Sequence, residues 1–197
     1  QMCDLGRISR ALGLEEYPQA ALPLLQELSA TLRRHDFRIT SILHDQELLV
    51  IEPYSETTRV LGLAVDIGTT TIAGTLCDLH SGEALAVAAR TNPQARRGDD
   101  VVTRIEPARR GQAQREELQR LVVQAIDEIL QEVCAKAGAA TGVVYVIAVG
   151  GNTTMHHLLL GLDAAYIAEA PFIATLRRGL TIRAVHVGLK AGHGARL

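Results

Sequence analysis

The stretch Leu61-Gly62-Leu63-Ala64-Val65-Asp66-Ile67-Gly68-Thr69-Thr70-Thr71-Ile72-Ala73-Gly74 decides the fold. It reads as a buried strand, a glycine turn and a second strand. An acid stands at the end of the first strand, and three hydroxyl residues line the turn. A carboxylate there can orient a hydrated Mg²⁺. Gly68 lets the backbone come close to an anion, and the threonine N–H and O–H groups can donate to phosphate oxygens. No Gly-Lys-Ser/Thr follows, so the pattern is a hairpin-type phosphate site and not a P-loop. The residues alone leave a second reading open, in which Asp66 merely caps the turn. Thr71 is at home in a strand in either case, whereas Thr69 and Thr70 sit at the turn itself.

Working outward, His80-Ser81-Gly82-Glu83 is a turn and Ala84 to Arg90 a third strand, giving three antiparallel strands in a row. The loop 91–98 follows, then a short helix starting at Asp99 or Asp100, where an acid suits the positive end of the helix dipole. Leu118, Leu121, Val122, Ala125, Ile126, Ile129, Leu130 and Val133 form one apolar stripe, which predicts a helix from about Gln112 to Ala137 stopped by Gly138. Gly142 to Val149 is apolar with almost no alternation, which predicts a strand buried on both faces. Gly150-Gly151-Asn152-Thr153-Thr154 breaks that strand, and a helix resumes over Met155–Leu160. With Asn152 or Thr153 as N-cap, the turn presents backbone N–H groups suited to an anion. Equally, the glycines can simply allow the turn and the hydroxyls simply cap it. Both turns follow strands of one sheet, so they can open on one edge and share a ligand. Thr181–Leu189 reads as a further strand.

Residues 1–57 differ in character and read as a small α+β module. Asp4-Leu5-Gly6-Arg7-Ile8 and Ala11-Leu12-Gly13-Leu14 suggest a short helix or turn. Leu22, Leu24, Leu25, Leu28 and Leu32 predict a helix from about Ala20 to Arg34. Phe37–Leu43 and Glu47–Ile51 flank His44-Asp45-Gln46 as a hairpin, with Pro53 ending its second strand. The polar connector Glu52–Arg59 marks a boundary, so 60–197 is the second domain.

Hydrophobic residues make up 47% of the chain and aromatics 3%, so a core must be built from aliphatic side chains. A net charge of −2, with no basic stripe, argues against nucleic acid and anionic membrane surfaces as partners. No apolar run approaches the roughly 18 residues that span a bilayer. Cys3, Cys77 and Cys134 are odd in number and far apart, which suits reduced cytoplasmic thiols and fits no iron–sulfur spacing. The adjacent His156 and His157 point in different directions on a helix, so one is expected to pack and the other to be solvated. Arg96, Arg97, Arg109 and Arg110 are expected in solvent or facing acids, and Glu116, Glu117 and Arg120 as ordinary helix-surface charge. Gln1 and Leu197 read as cut ends within a longer protein.

Asp66-Ile67-Gly68-Thr69-Thr70-Thr71 resembles the first phosphate motif of the actin, heat-shock chaperone and sugar kinase superfamily of ATPases. Asn92-Pro93-Gln94 with Gly98-Asp99-Asp100-Val101-Val102-Thr103-Arg104-Ile105, then Gly151 to Gly161, then Ala170-Pro171-Phe172, narrow this to a resemblance to the reductive activators of corrinoid proteins. The resemblance covers 60–197, and 1–57 is similar to the middle domain that precedes the ATPase domain in that family. It implies a ribonuclease H-like first half of an actin-like ATPase domain preceded by a small α+β domain. It implies ATP and Mg as ligands, with Asp66 orienting Mg²⁺ and the attacking water, and Gly68, Thr69, Thr70 and Thr71 holding β/γ-phosphates. Gly150, Gly151, Asn152, Thr153 and Thr154 are the candidate second contact.

The implied activity is ATP-driven reduction of a corrinoid protein or methyltransferase component from Co(II) to Co(I). Electrons would come from a [2Fe-2S] cluster on an N-terminal domain whose cysteine motif these residues lack. The second phosphate motif and the adenosine motif are also lacking, so half a nucleotide site is expected, with weak or no ATPase activity alone. A homodimer is a further expectation. A small-molecule kinase of the same superfamily and a non-catalytic docking module are the alternatives.

Overall fold

The computed structural model describes residues 2–98, 100–192 and 194–197. The chain divides into two compact units, one ending at Arg59 and the other spanning Val60–Leu197.

In the first unit, α1 (Asp4–Ala11) and α2 (Leu22–Arg34) accompany a three-stranded sheet of β1 (Gln19–Ala20), β2 (Ile39–His44) and β3 (Glu47–Pro53), in the order β1-β3-β2. Pro23 in the first turn of α2 costs no hydrogen bond, because that N–H has no helical acceptor. Ile8, Leu28, Leu32 and Leu48 form the core of this unit. Arg33 and Ser29 both donate to Asp4, at 2.7 and 2.6 Å, and Arg33 foremost holds that carboxyl below its ordinary range. The hairpin β2–β3 turns tightly through Asp45, whose φ of 53° is in the left-handed region that Asp tolerates. The two-residue β1, parallel to β3, has no counterpart in the sequence reading.

The second unit is built on β4 (Leu61–Ile67), β5 (Thr71–Asp78), β6 (Ala84–Thr91) and β7 (Val144–Gly151), in the order β6-β5-β4-β7. The first three pair antiparallel and β7 joins β4 in parallel. Between β6 and β7 the chain forms a 3₁₀ turn (Pro93–Arg97), α3 (Val101–Arg109) and the long α4 (Gln112–Lys136). Asp100 caps α3 in a reciprocal arrangement with Thr103. Asp99, the other expected start of this helix, lies outside the described residues.

One face of the sheet carries Leu61, Leu63, Val65, Ile67, Ile72 and Leu76 and packs with Leu118, Val122, Ile126, Ile129 and Leu130 of α4. Gly74 is the point of closest approach. A Cβ there would stand 2.4 Å from Cγ2 of Ile129, so the strand needs glycine to seat the helix.

Two expectations are corrected. The β7 strand is not buried on both faces: Val144, Tyr145 and Ile147 are buried, but Ala148 and Gly150 are exposed. The run reads as apolar because small residues occupy its open face. The segment 181–189 is not a strand but a 3₁₀ turn, Ala184–Val187, ended by Gly188 at φ 89°. Ala184, Val187 and Leu189 are its core contacts. No helix among the described residues is long and apolar enough to cross a membrane.

Asp127 is the acid within the apolar side of α4. It is 7% exposed, and Oδ1 accepts the N–H of Lys190 at 2.9 Å. Desolvation holds its carboxyl above the ordinary value of 3.8, against the lowering effect of that hydrogen bond and the Lys190 charge. A raised folded-state pKa adds stability that is complete below the unfolded value and is lost as pH rises through the folded one. Asp127→Asn keeps the acceptor and removes the ionisation. Thermal melts from about pH 4 to 8 should therefore show Asn gaining on Asp as pH rises, and a constant difference would contradict this account.

Candidate functional site

The site begins with the ladder. Asp66, next to last in β4, stands opposite Ala73 on β5 and Gly150 on β7. Residues opposite one another in a ladder share a face, so the Asp66 carboxylate is flanked by a methyl group and by no side chain at all. Asp66 and Gly150 are both exposed, as are Ala64 and Ala148 two residues earlier. β4 and β7 run in parallel, so their carboxyl ends reach the same sheet edge. The turn after β4 and the turn after β7 therefore open side by side.

The two glycines beside Asp66 differ in what they require. At Gly68 an added Cβ would lie 2.7 Å from the Thr71 carbonyl oxygen, which already accepts the Gly68 N–H at 2.9 Å. The turn is too tight for any side chain there. At Gly150 an added Cβ would meet only the Val65 carbonyl oxygen, at 3.9 Å. Packing does not demand glycine at that position, and its absent side chain leaves space over the sheet beside the carboxylate.

In the second turn, Asn152 is the N-cap of α5 (Thr153–Leu160). Its side chain accepts the Met155 N–H at 3.0 Å. Gly151, Asn152 and Thr153 are exposed, whereas the Thr154 side chain is 2% exposed. The Thr154 hydroxyl is thus not offered at the surface. On the first turn Thr70 and Thr71 are exposed, and Gly68 and Thr69 half-buried.

Beneath the turns lies a buried polar network that the sequence reading did not assign. Asn92, Gln94 and Arg104 are each 0% exposed. The Asn92 side-chain amide donates to the Gly68 carbonyl at 2.8 Å, and its backbone N–H donates to the Thr70 carbonyl at 2.7 Å. Arg104 Nη2 donates to the Thr69 carbonyl and to the Gly98 carbonyl, both at 2.8 Å. Arg104 Nη1 and Asn92 Nδ2 also touch Sδ of Met155, at 3.5 and 3.9 Å. Gly98 is again a close approach, with an added Cβ 2.6 Å from the Arg104 backbone nitrogen. The signal in the sequence was position. Arg104 shares the inward side of α3 with Ile105 and Ala108, where a charge has no business unless it is bonded.

The histidine pair separates. His157 is fully buried, with Nε2 accepting the Thr175 N–H at 3.0 Å and Nδ1 donating to the Thr153 carbonyl at 2.7 Å. It ties α5 to the segment that follows. His156 is not solvated as one of the pair was expected to be: it is half-buried, with its Nε2 enclosed and without a partner among the described residues. Arg97 pairs with Glu117, and Arg109 with Glu106 and Glu169. Cys3 is exposed, Cys77 half-buried and Cys134 buried. Among the described residues no three His, Cys, Asp or Glu side chains cluster to hold a metal or an iron–sulfur group.

Residues 61–197 match the family described as the RACo middle region, and residues 1–58 the RACo linker region. The expectation had named 1–57 a middle domain; in the family's own terms that segment is the linker. The chain is 30% identical over 153 residues to the corrinoid activation enzyme RamQ of Eubacterium limosum, covering 77% of this chain and 26% of that one. It superposes on a solved reductive activator for corrinoid, iron-sulfur protein with a TM-score of 0.85 and 29% identity, over 98% of this chain and 31% of that one. The chain thus spans less than a third of the length of these relatives.

The glycine contrast is measurable. Gly68→Ala is expected to destabilise the chain by about 1–3 kcal/mol, because the added Cβ meets a backbone carbonyl oxygen that cannot swing aside. Gly150→Ala is expected to be neutral or slightly stabilising, within about 1 kcal/mol. Urea denaturation of the two variants checks the difference.

Proposed function

We propose that this chain, which belongs to the RACo family, supplies the first phosphate-binding half of an ATP-dependent activator that returns a corrinoid protein from Co(II) to Co(I). The observation that carries the reading is the pairing of Asp66 with Gly150 at the carboxyl ends of two parallel strands. In open α/β sheets, ligands bind at that edge. An acid there, between a turn that must be glycine for the backbone and a glycine that packing leaves free, suits a nucleotide whose phosphates carry a hydrated cation.

The second unit is, in this reading, the ribonuclease H-like first half of an actin-like ATPase domain. Three antiparallel strands followed by a parallel one support it. So does a parallel bridge between Val146 and Arg196, which sets the tail of the chain in a fifth position beyond β7.

The residues fit Mg·ATP at this edge. The Asp66 carboxylate is exposed beside open space, and among the described residues no three His, Cys, Asp or Glu side chains form a cage for a metal. Asp66 would hold a hydrated Mg²⁺ through its water shell, the manner in which Mg²⁺ is commonly bound beside phosphates. Bound Mg²⁺ would supply charge neutralisation on the phosphate oxygens. Asp66 orients the hydrated ion and the attacking water. The N–H groups of Thr69, Thr70 and Thr71, with the hydroxyls of Thr70 and Thr71, donate to the terminal phosphates. Across the edge, the N–H groups of Thr153 and Thr154 open the first turn of α5 toward the same anion. The partner we propose is a corrinoid protein or corrinoid methyltransferase component, acted on by a protein that pairs as a homodimer in the cytoplasm. The electron donor, a [2Fe-2S] group, belongs outside these residues.

The test uses the protein that carries this chain, with ATP hydrolysis and Co(II) reduction followed together. Asp66→Ala should lower kcat/KM for ATP by about 10²–10³-fold and stop corrinoid reduction, without loss of folding. The 197-residue chain alone should hydrolyse ATP weakly or not at all. Unchanged kinetics in the Asp66 variant would sink the nucleotide reading, and brisk turnover by the chain alone would sink the half-site.

A further inference from the structure

We propose that Asn92 and Arg104 are positioning residues of the phosphate site: buried donors that aim the peptides of the first turn and fix its distance from the second. The inference rests on the nucleotide reading above and adds residues that do not touch the ligand.

The peptide bond supplies the geometry. In a trans peptide the C=O and the next residue's N–H point in opposite directions. The Gly68 carbonyl is held by Asn92 Nδ2, the Thr69 carbonyl by Arg104 Nη2, and the Thr70 carbonyl by the Asn92 backbone N–H. Three successive carbonyls are thus drawn toward the interior. The N–H groups of Thr69, Thr70 and Thr71, on the far side of the same three peptides, must face outward. A turn free to rotate would present a mixture of donors and acceptors to an anion. This one is sorted.

The same two side chains reach the other turn. Arg104 and Asn92 both contact Sδ of Met155, whose N–H is capped by Asn152. One buried pair therefore touches the first turn by its carbonyls and the second by the residue that anchors its cap. Further Arg104 bonds, from Nε and Nη2 to the Gly98 carbonyl at 3.1 and 2.8 Å, fix the guanidinium plane. That plane is what Lys lacks, since an ammonium cannot hold two separated carbonyls in a fixed fork. A positive charge one peptide beneath the phosphates also favours an anion above it.

The experiment measures binding of Mg·AMP-PNP by the protein carrying this chain, in wild type, Arg104→Lys, Arg104→Met and Asn92→Ser. It also records backbone amide shifts of Thr69, Thr70, Thr71 and Met155 without nucleotide. The expected result is about tenfold weaker binding in Arg104→Lys and about a hundredfold in Arg104→Met, the loss of one and of several charge-assisted bonds. The four amide signals should move in Arg104→Lys while those of Leu118 and Ile126 stay. A merely structural role would shift the melting temperature without singling out these amides. If Arg104→Met does not fold, Arg104→Lys and Asn92→Ser decide. Wild type that binds while both conservative variants bind within twofold of it, amides unmoved, would overturn the positioning role alone. Wild type that binds no nucleotide would overturn both this inference and the reading beneath it.

Discussion

The parallel ladder between β4 and β7 is the constraint on which the rest depends. It is a register, and register fixes faces: a slip of one residue would send Asp66 into the core and Ile67 into solvent. The apolar residues Leu61, Leu63, Val65 and Ile67 prevent that slip by packing under α4, so the core of the unit specifies where its acid stands. Asp66 needs no dedicated partner to hold its position. The strand carries it, and the two small residues opposite, Ala73 and Gly150, keep the space around it open.

Much of this was legible in the sequence, for physical reasons that differ from element to element. The hairpin 61–78 declared itself because apolar strands and a glycine turn leave few alternatives. The stripe on α4 repeats over 25 residues and has no competing period. A cap at Asn152 or Thr153 was readable because such side chains accept from a helix start, and the structure gives the role to Asn152. Other elements obey no local rule. The strand β1 has two residues and exists only because β3 offers it an edge. The segment 181–189 carries apolar residues at strand-like spacing, yet a 3₁₀ turn buries Ala184, Val187 and Leu189 equally well. At β7 the alternation was hidden by composition, since Ala148 and Gly150 read as apolar whether or not they are covered.

The site was legible by half. Glycine and threonine at a strand end can be seen in a sequence, but which glycine the backbone demands and which packing leaves free cannot. Gly68 and Gly150 look alike as letters. Only the distance from each missing Cβ to its surroundings, 2.7 Å against 3.9 Å, separates them. The same holds for Arg104, which lies in a helix beside three other arginines that are exposed or paired at the surface, Arg97, Arg109 and Arg110.

A turn that offers its N–H groups outward creates a debt inside the protein. Each outward donor leaves a carbonyl facing the interior, and an unbonded buried carbonyl costs about 1–3 kcal/mol. An aliphatic core cannot satisfy it. Polar side chains must therefore be buried directly beneath such a turn, and here they are Asn92 and Arg104, with Gln94 donating to the Leu118 carbonyl at 2.8 Å beside them. The desolvation of a guanidinium is itself unfavourable, and the bonds of Arg104 to two carbonyls from different segments, with the charge of Asp100, offset it. Asn92 and Arg104, both fully buried, bond the carbonyls of the turn that follows Asp66, and the aliphatic core packs between the sheet and α4. The position of buried polarity thus follows from the outward chemistry of the turns, and it points to the same edge as the acid does.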